Sequence, residues 1–173
     1  SENDLDLARE ASAFYLKLSE SVLRSDPGHR GLAESVAGGF TQYAYAFVAF
    51  EADRIEAKDA KAAESLRQRA AQLYRRAHRH AMAALEKENS GFARALNAPQ
   101  AADWPKPTPA QVGLAYWAAA SWGGWISLSK DDPDVVADLP QAVRLTQLAW
   151  QADPAWGRGA LTGLLATFEA SRP

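Results

Sequence analysis

The chain has 173 residues, a length that predicts a single domain spanning residues 1–173. Of these residues, 47% are hydrophobic, which is enough for a sizeable core. A net charge of −2 gives the chain no general attraction to nucleic acid or to anionic lipid. Cysteine is absent, which excludes disulfides, thiolate metal sites and cysteine nucleophiles. The opening SENDLDLARE lacks the basic and then apolar pattern of an export signal. The sequence therefore fits either a cytoplasmic protein or the mature form of an exported one.

Alanine, leucine, glutamate and arginine dominate while β-branched residues are sparse, so the sequence predicts an all-α fold. The first helix is predicted at residues 4–24 and ends at the proline and glycines of SDPGHRG. A second helix is predicted at 32–57 and a third at 60–88. On the second helix, apolar side chains recur at three- and four-residue spacing and should share one face. These side chains are Val36, Phe40, Tyr43, Phe47 and Phe50.

Beyond the third helix, a short helical turn is predicted at GFARALN, and residues 98–109 form the one evident long loop. Pro109 is well placed to begin a fourth main helix over 112–129, and a fifth is predicted at 139–152. The last segment has a helical pattern but carries Gly157, Gly159 and Gly163. Because glycine is unfavourable inside helices, these residues predict that a neighbouring backbone comes too close to admit a side chain.

The fourth helix, VGLAYWAAASWGGWISLS, contains three tryptophans and no charged residue. Its tryptophans lie mid-helix and it is poor in leucine, isoleucine and valine, which favours a buried helix over a membrane span. On a helical projection, Trp122 and Trp125 share one side and Trp117 lies on another, with a seam running from Tyr116 to Gly123 between them. That seam is narrow enough for a partner helix to approach. The rings either form a packed core, each indole N–H having an acceptor, or line an apolar pocket.

An internal similarity indicates repeats. The segment RAHRHAMAALEKENSGFARAL matches QAVRLTQLAWQADPAWGRGAL at a constant offset, and each copy follows an aromatic helix that ends in Lys-Asp. The matched positions include Ala77 and Ala142, Arg79 and Arg144, Ala84 and Ala149, Ala95 and Ala160, and Leu96 and Leu161. This pattern predicts tetratricopeptide-like antiparallel helical hairpins stacked as a repeat array. The alternative is chance similarity between two alanine-rich helices.

Residues that could carry chemistry are few. His78 and His80 are two positions apart on a helix and point in different directions, so both are predicted to be surface residues, with His29 in a loop. No phosphate loop, dinucleotide turn or nucleophile elbow is present, so neither an enzyme nor a cofactor or metal site is predicted. Four arginines of the third helix are predicted to form a solvated basic face, balanced by acids of the second helix rather than by nucleic acid. The arginines are Arg69, Arg75, Arg76 and Arg79; the acids are Glu51, Asp53 and Glu56.

Glu51 and Arg54 fall close to the apolar face that carries Phe47. Because burying an unpaired charge is costly, the two residues either form an ion pair that fixes the hairpin or lie at the wall of a wet cavity. In the second case, Arg54 would offer a cation to a solute carboxylate.

Three strings together resemble the T-component family of TRAP (tripartite ATP-independent) transporters, known as TatT. They are FTQYAYAFVAFEADRIEAKD, LRQRAAQLYRRAHRHAMAALE and GLAYWAAASWGGWISLSKDDPDVVADLP, and the likeness runs from about residue 30 to the end. The resemblance implies a periplasmic, often lipid-anchored protein built from tetratricopeptide-like hairpins. It also implies association with the periplasmic solute-binding P component, and a cavity or pore for apolar or amphipathic solutes.

Two features depart from the family. There is no lipobox cysteine, so any lipid anchor would precede Ser1, and members typically continue through further hairpins. An apolar last helix without a polar cap predicts either further native chain or a second copy of the protein over this end. The leading hypothesis is thus a TRAP accessory protein that docks the P component and holds an apolar small molecule. The alternative is a tetratricopeptide-like adaptor that binds a peptide in a concave groove. The candidate cavity-lining residues are Phe47, Glu51, Arg54, Tyr116, Trp117, Trp122 and Trp125.

Overall fold

The computed structural model describes residues 3–172, and helices dominate this part of the chain, with no strand in it. The all-α prediction is confirmed. The helices are α1 (Leu5–Ser25), α2 (Arg30–Tyr43), α3 (Phe50–Ile55), α4 (Ala60–Glu88), α5 (Phe92–Leu96), α6 (Val112–Ser127), α7 (Pro133–Val136), α8 (Leu139–Ala152) and α9 (Ala160–Ala170). The loop at 98–109 is present and contains a 3₁₀ turn at Ala101–Asp103.

Polar side chains cap the first three long helices. Asp4, His29 and Asp59 each accept a hydrogen bond at 2.9–3.0 Å from the backbone N–H three residues further on. Such caps satisfy N–H groups that have no partner within the helix, and each contributes about 1 kcal/mol. Thr108 and Gln111 form a reciprocal capping box at the 3₁₀ turn Pro109–Gln111 that leads into α6. The sequence therefore encodes these helix starts locally.

The second predicted helix is continuous but not regular. Between α2 and α3 lies a π-helical segment, Ala44–Ala49, where the N–H of Phe50 bonds to the carbonyl of Tyr45. A π turn takes more residues than an α turn, so the residues after it rotate away from the face set by α2. Phe50 is accordingly 64% exposed, and its predicted place on the buried face with Val36 and Phe40 is wrong.

Ion pairs at both ends show that α4 runs antiparallel to α2 and α3. Arg30, at the start of α2, bonds to Glu88 at the end of α4 (Nε–Oε1 2.7 Å), and Arg67 of α4 bonds to Asp53 of α3 (Nη2–Oδ1 2.9 Å). Helix α6 packs against α2, α4 and α8 and so lies at the centre of the fold. The charge-free helix is therefore buried inside the protein, as predicted.

Alanine lets these helices approach closely. Wherever α2, α4, α6 and α8 face one another, their contact surfaces are rich in alanines with no solvent exposure. Removing a methyl group from water contributes only modestly for each residue, but small side chains allow many backbone and dispersion contacts at short range. These alanines include Ala33, Ala37, Ala70, Ala77, Ala84, Ala115, Ala118, Ala142 and Ala149.

The glycines near the end of the chain do not mark close helix contacts. Gly157 and Gly159 have φ of 63° and 90°, so they supply the left-handed turns between α8 and α9. Gly163 lies in open space. Close approaches occur instead in α6, where a Cβ on Gly124 would lie 2.7 Å from the Tyr74 ring and one on Gly123 would lie 3.0 Å from Phe168. The prediction is wrong for the last segment, whereas the narrow seam predicted on α6 is confirmed at Gly123.

Glu20 of α1 is fully buried and receives hydrogen bonds from four basic side chains. Arg76 reaches it through Nε and Nη2, His80 through Nε2 at 2.8 Å, and Lys17 and Arg24 at 3.1 Å. Burial alone would raise the pKa of this carboxyl. The bonds from Arg76, His80 and Lys17 outweigh burial and hold the pKa well below its usual range.

This cluster corrects several predictions about α4. Arg76 and His80 are half-buried rather than exposed on a solvated face, because each serves Glu20. Arg69, Arg75 and Arg79 are exposed as predicted, but the acids of α3 do not balance them. Arg67 instead donates hydrogen bonds of 2.9–3.0 Å to Asp53 and Glu56. Glu51 pairs within its own helix.

Candidate functional site: a groove along α2

The seven predicted cavity-lining residues do not share one cavity. Phe47 and Trp117 line a groove between α1, α2 and α6. Glu51 and Arg54 lie in a separate, polar surface depression beside the start of α1, and Trp125 lines a third opening beside α4 and α5. The other two, Tyr116 and Trp122, are packed against neighbouring rings.

Trp122 and Trp125 lie on one side of α6, as predicted, and pack around His78. The ring centroids are 4.3 Å and 6.0 Å from the imidazole. Nδ1 of His78 is 3.0 Å from the carbonyl oxygen of Ala118 and donates to it. Burial lowers the pKa of His78 to about 4, so the ring is neutral near pH 7, and its predicted surface position is wrong. The buried Nε1 of Trp122 has no hydrogen-bond partner within residues 3–172, so not every indole N–H is satisfied in this part of the chain.

Tyr116 contacts two indoles, with centroid distances of 4.9 Å to both Trp117 and Trp156. This cluster joins the outer side of α6 to the 3₁₀ turn at Trp156–Arg158. Aromatic pairs at this spacing are favourable beyond the area that they bury. The Tyr116 ring thus packs edge-on against Trp117, and the Trp117 ring in turn contacts α2 at Gly38.

The Glu51–Arg54 pair is an exposed contact within one helix. Nε of Arg54 bonds to Oε2 of Glu51 at 2.8 Å, and 63% of the arginine side chain is open to solvent. The hydrogen bond from Arg54 lowers the pKa of Glu51. Of the two alternatives, the structure shows the ion pair, but the pair joins neighbouring turns of α3 rather than two helices of a hairpin.

The groove along α2, called the α2 groove from here on, has a volume of about 730 Å³. Its walls come from α1, α2 with the π-helical segment, and α6. The side chains that define it are Tyr15, Leu16, Glu34, Tyr43, Phe47 and Trp117. A groove of this size with mostly apolar walls and a few polar groups has the typical form of a small-molecule site.

Two glycines and the π-helical segment give the groove its shape. A Cβ on Gly38 would lie 2.8 Å from the Trp117 ring, and a side chain on Gly39 would collide with Leu16. The missing side chains therefore let α6 and α1 approach α2 on adjacent sides. Further along, the π-helical segment supplies Phe47, whose ring centroid is 5.2 Å from that of Tyr43. π-helical turns occur frequently at functional sites.

Glu34 carries the one acidic side chain that lines the groove. It is half-buried, and no hydrogen bond or ion pair connects its carboxyl to any residue within 3–172. The carboxyl lies over Gly113, where a Cβ would collide with Oε1. Burial raises the pKa of Glu34, and the positive charge of Arg30 offsets this only in part. Such an acid is a candidate functional group because its desolvation is not compensated within the described chain.

Sequence reasoning missed Glu34, Tyr15 and the role of Gly38. The pair Gly38-Gly39 in the middle of a predicted helix was a usable signal, since two helical glycines in succession are costly without a packing reason. Glu34 gave no such signal, because a single glutamate near a helix start is ordinary. Within residues 3–172, no three His, Asp or Glu side chains lie together as ligands for a metal ion.

A second apolar cleft of about 640 Å³ lies between α6 and α9. Gly123 and Gly124 form its floor, with Tyr74 and Phe168 at its sides. Leu161 and Phe168 of α9 are buried, and its other two large apolar side chains, Leu164 and Leu165, are half-buried. The predicted covering of this end by further chain or by a second copy of the protein stays a prediction.

The fold and the groove define a class: an all-helical protein whose charge-free central helix borders an aromatic groove large enough for a small molecule. No helix within residues 3–172 has both the length and the apolarity to cross a bilayer. Comparison with known families then identifies this class. A model of the TRAP transporter T-component family matches residues 1–173, and the chain belongs to that family. The resemblance read from the sequence is confirmed, and it includes the first thirty residues as well.

A relative in Treponema pallidum (strain Nichols), an uncharacterized protein, is 28% identical to this chain over 176 residues. The alignment covers 99% of this chain and 54% of the relative, so the chain spans about half the length of the relative that it matches. Family membership points to an accessory role in TRAP transport.

Proposed function

We propose that this protein docks the periplasmic solute-binding P component of a TRAP transporter and holds an apolar or amphipathic ligand in the α2 groove. The observation that carries the ligand part is the groove itself, about 730 Å³ in volume and lined by four aromatic rings from three helices. Ligand pockets in proteins typically have volumes of about 300–1,000 Å³ and mostly apolar linings. Phe47 and Trp117 remain candidate lining residues in this proposal.

We also propose that the helices form tetratricopeptide-like repeats. In such arrays, the first helices of successive hairpins run parallel and in contact. Gly38 faces Trp117 and Glu34 faces Gly113, so α2 and α6 run in the same direction at this contact. The offset found in the sequence also pairs buried apolar residues with one another, because Ala77, Ala84 and Leu96 are fully buried, as are their matches Ala142, Ala149 and Leu161.

For docking, the outer face of α1 supports a protein partner. Four large apolar side chains, Leu7, Phe14, Leu18 and Val22, recur along it at spacings of four or seven residues, and each is more than half exposed. An exposed apolar stripe of this kind is typical of a helix that packs against a partner. We place the protein in the periplasm, where the P component would meet it, with any attachment to the membrane made through a lipid anchor outside residues 1–173.

The experiment is co-purification with the P component encoded nearby, at micromolar concentrations, for the native chain and for Phe14→Glu. The native chain should form a complex, and Phe14→Glu should weaken it at least tenfold, because it places a charge in the apolar stripe. Glu10→Gln, a change on the same helix that leaves all four apolar side chains in place and adds no charge, should bind normally. No complex with the native chain would refute docking, and a complex that Phe14→Glu leaves intact would move the interface away from α1.

A second candidate function is a peptide-binding adaptor, and one observation favours it. The opening that Trp125 lines also presents Arg75, Arg79 and Arg94, and none of them has a carboxylate partner within 4 Å among the residues described. Arg75 lies over the Trp125 ring at 5.4 Å. This surface is suited to an acidic peptide. Binding of a poly-glutamate peptide that Arg79→Glu abolishes would favour the adaptor function.

A further inference from the structure

The carboxyl that lines the α2 groove lies toward one of its ends. Glu34 and Phe47 both line it and are thirteen positions apart, which on a helix is about 20 Å. Glu34 lies toward one end, over Gly113 in the first turn of α6, and Trp117 follows one turn further along α6, where its ring packs against Gly38 of α2. Tyr43 and Phe47 lie toward the other end, where the guanidinium of Arg9 stands 5.8 Å from the Phe47 ring. The groove thus has a carboxyl toward one end and aromatic rings along its length, with the uncharged polar side chains of Ser12, Ser35 and Gln42 also in its lining.

The cation nearest to Glu34 on its own helix is already engaged. Arg30 donates through Nε to Glu88, which also accepts from the side-chain amide of Gln111 at 2.9 Å. Arg30 forms no hydrogen bond or ion pair with Glu34. The carboxyl of Glu34 therefore keeps its full capacity to accept hydrogen bonds, and the described chain offers it no donor.

The Glu34 carboxyl and the Trp117 ring together favour a positively charged ligand over a negatively charged one. An indole face attracts organic cations, and aromatic residues combined with an acid are a common way to recognise ammonium groups. An anionic head group beside Glu34 would instead face a like charge in a partly desolvated position, which is unfavourable. Length also fits, since about 20 Å accommodates an alkyl chain or an extended ring system beyond the head group.

We propose that the α2 groove binds amphipathic organic cations, with an ammonium group between Glu34 and Trp117 and the apolar part along Tyr43 and Phe47. The inference rests on the proposed ligand-holding function and names the class of ligand. Gly113 has a specific role in it, because the absence of a side chain there leaves room for the carboxyl of Glu34.

Isothermal titration calorimetry with three probes of equal chain length tests the inference: decyltrimethylammonium, 1-decanol and decanoate, each below its micellar concentration. The native chain should bind the cation about tenfold more tightly than the alcohol, and decanoate more weakly than either. Glu34→Gln should remove the preference for the cation over the alcohol. Glu51→Gln changes the net charge equally but lies outside the groove, so it should behave like the native chain.

Phe47→Ala tests where the apolar part of the ligand lies, and it should weaken the binding of all three probes to the same extent. Circular dichroism shows whether each variant keeps the native helix content. Equal binding of cation and alcohol, tighter binding of decanoate, or a cation preference that survives Glu34→Gln would each overturn the ligand class while leaving an apolar site in place. If none of the probes binds, both the ligand class and the ligand-holding function are overturned, whereas the docking experiment is unaffected.

Discussion

Two glutamates on neighbouring helices are both removed from solvent to some extent, but their surroundings shift the pKa of the carboxyl in opposite directions. Glu20 of α1 is fully buried and surrounded by Arg76, His80, Lys17 and Arg24, so its pKa lies far below the usual range. Glu34 of α2 is half-buried in the α2 groove without a hydrogen bond or ion pair within residues 3–172, and its pKa is raised. The same side chain is stabilised as an anion in one place and destabilised in the other.

The difference separates a structural acid from a functional one. The partners of Glu20 come from α1 and α4, so this carboxyl links α1 to α4. Removing one side of such a network leaves buried charges without a partner. Glu34 joins no helices through hydrogen bonds, and the fold gains nothing evident from its charge. Glu34 lowers stability and lines a groove, which is typical of a group that serves binding rather than folding.

The largest effect is expected for Glu20→Gln. The amide keeps the shape of the side chain but removes the negative charge that faces Arg76, so we expect a loss of about 3 kcal/mol in the free energy of unfolding. Urea denaturation followed by circular dichroism measures it. Glu34→Gln is the matched control and should leave the stability near pH 7 unchanged or slightly higher. Equal losses in the two variants would contradict the distinction between the two acids.

The pH dependence of stability should differ in sign between the two sites. The folded pKa of Glu20 lies below its unfolded value of about 4.5, so its contribution is complete above that pH and is lost as the pH falls. The folded pKa of Glu34 lies above the same unfolded value, so its contribution is complete below about pH 4.5 and is lost as the pH rises through the folded pKa.

Urea denaturation of the native chain and both variants between about pH 3 and pH 7 measures this difference. The gap between the native chain and Glu20→Gln should narrow as the pH falls. Glu34→Gln should gain stability relative to the native chain as the pH rises. His78 adds a slope common to all three proteins, because its pKa of about 4 costs stability as the pH falls below its usual value near 6.5. Parallel curves for all three proteins would refute the assignment.

Patterns that act within one helix were predictable from the sequence. The bounds of α4 and α8 match the predicted residues 60–88 and 139–152, because apolar periodicity and a capping residue such as Asp59 are local signals. Burial of α6 followed from its lack of charge. Local signals also misled where the backbone departed from ideal geometry, and the π-helical segment that turned Phe50 outward has no signature in apolar spacing.

The candidate site could be predicted only in part, because its decisive contacts are distant in sequence. Phe47 and Trp117 were identified as aromatic residues on buried faces, but their place in one groove depends on how closely α2 approaches α6 at Gly38. Glu20 and His80 are sixty positions apart in the sequence but hydrogen-bonded in the fold, so the environment of neither could be predicted from its own helix. A sequence shows which side chains are unusual for a surface, whereas only packing shows which of them find partners.

A smaller effect on stability, with a larger one on binding, is expected for Gly113→Ala. The new methyl group would occupy the position of the Glu34 carboxyl, whose flexible end can move away at little cost. Alanine also favours a helix over glycine by up to about 1 kcal/mol, so the stability should stay equal or rise. Affinity for decyltrimethylammonium should nevertheless fall about tenfold, because the carboxyl is displaced from Trp117.

Gly163→Ala is the control for this substitution. Gly163 also lies within a helix, and a Cβ there would meet no atom within 4 Å, so this variant should gain similar stability without any change in binding. Calorimetry with the cation and urea denaturation on both variants separate the two effects. If Gly113→Ala binds the cation as tightly as Gly163→Ala does, the position of the Glu34 carboxyl is irrelevant to the ligand. Glu34 would then be only an uncompensated acid, and the contrast with Glu20 would concern stability alone.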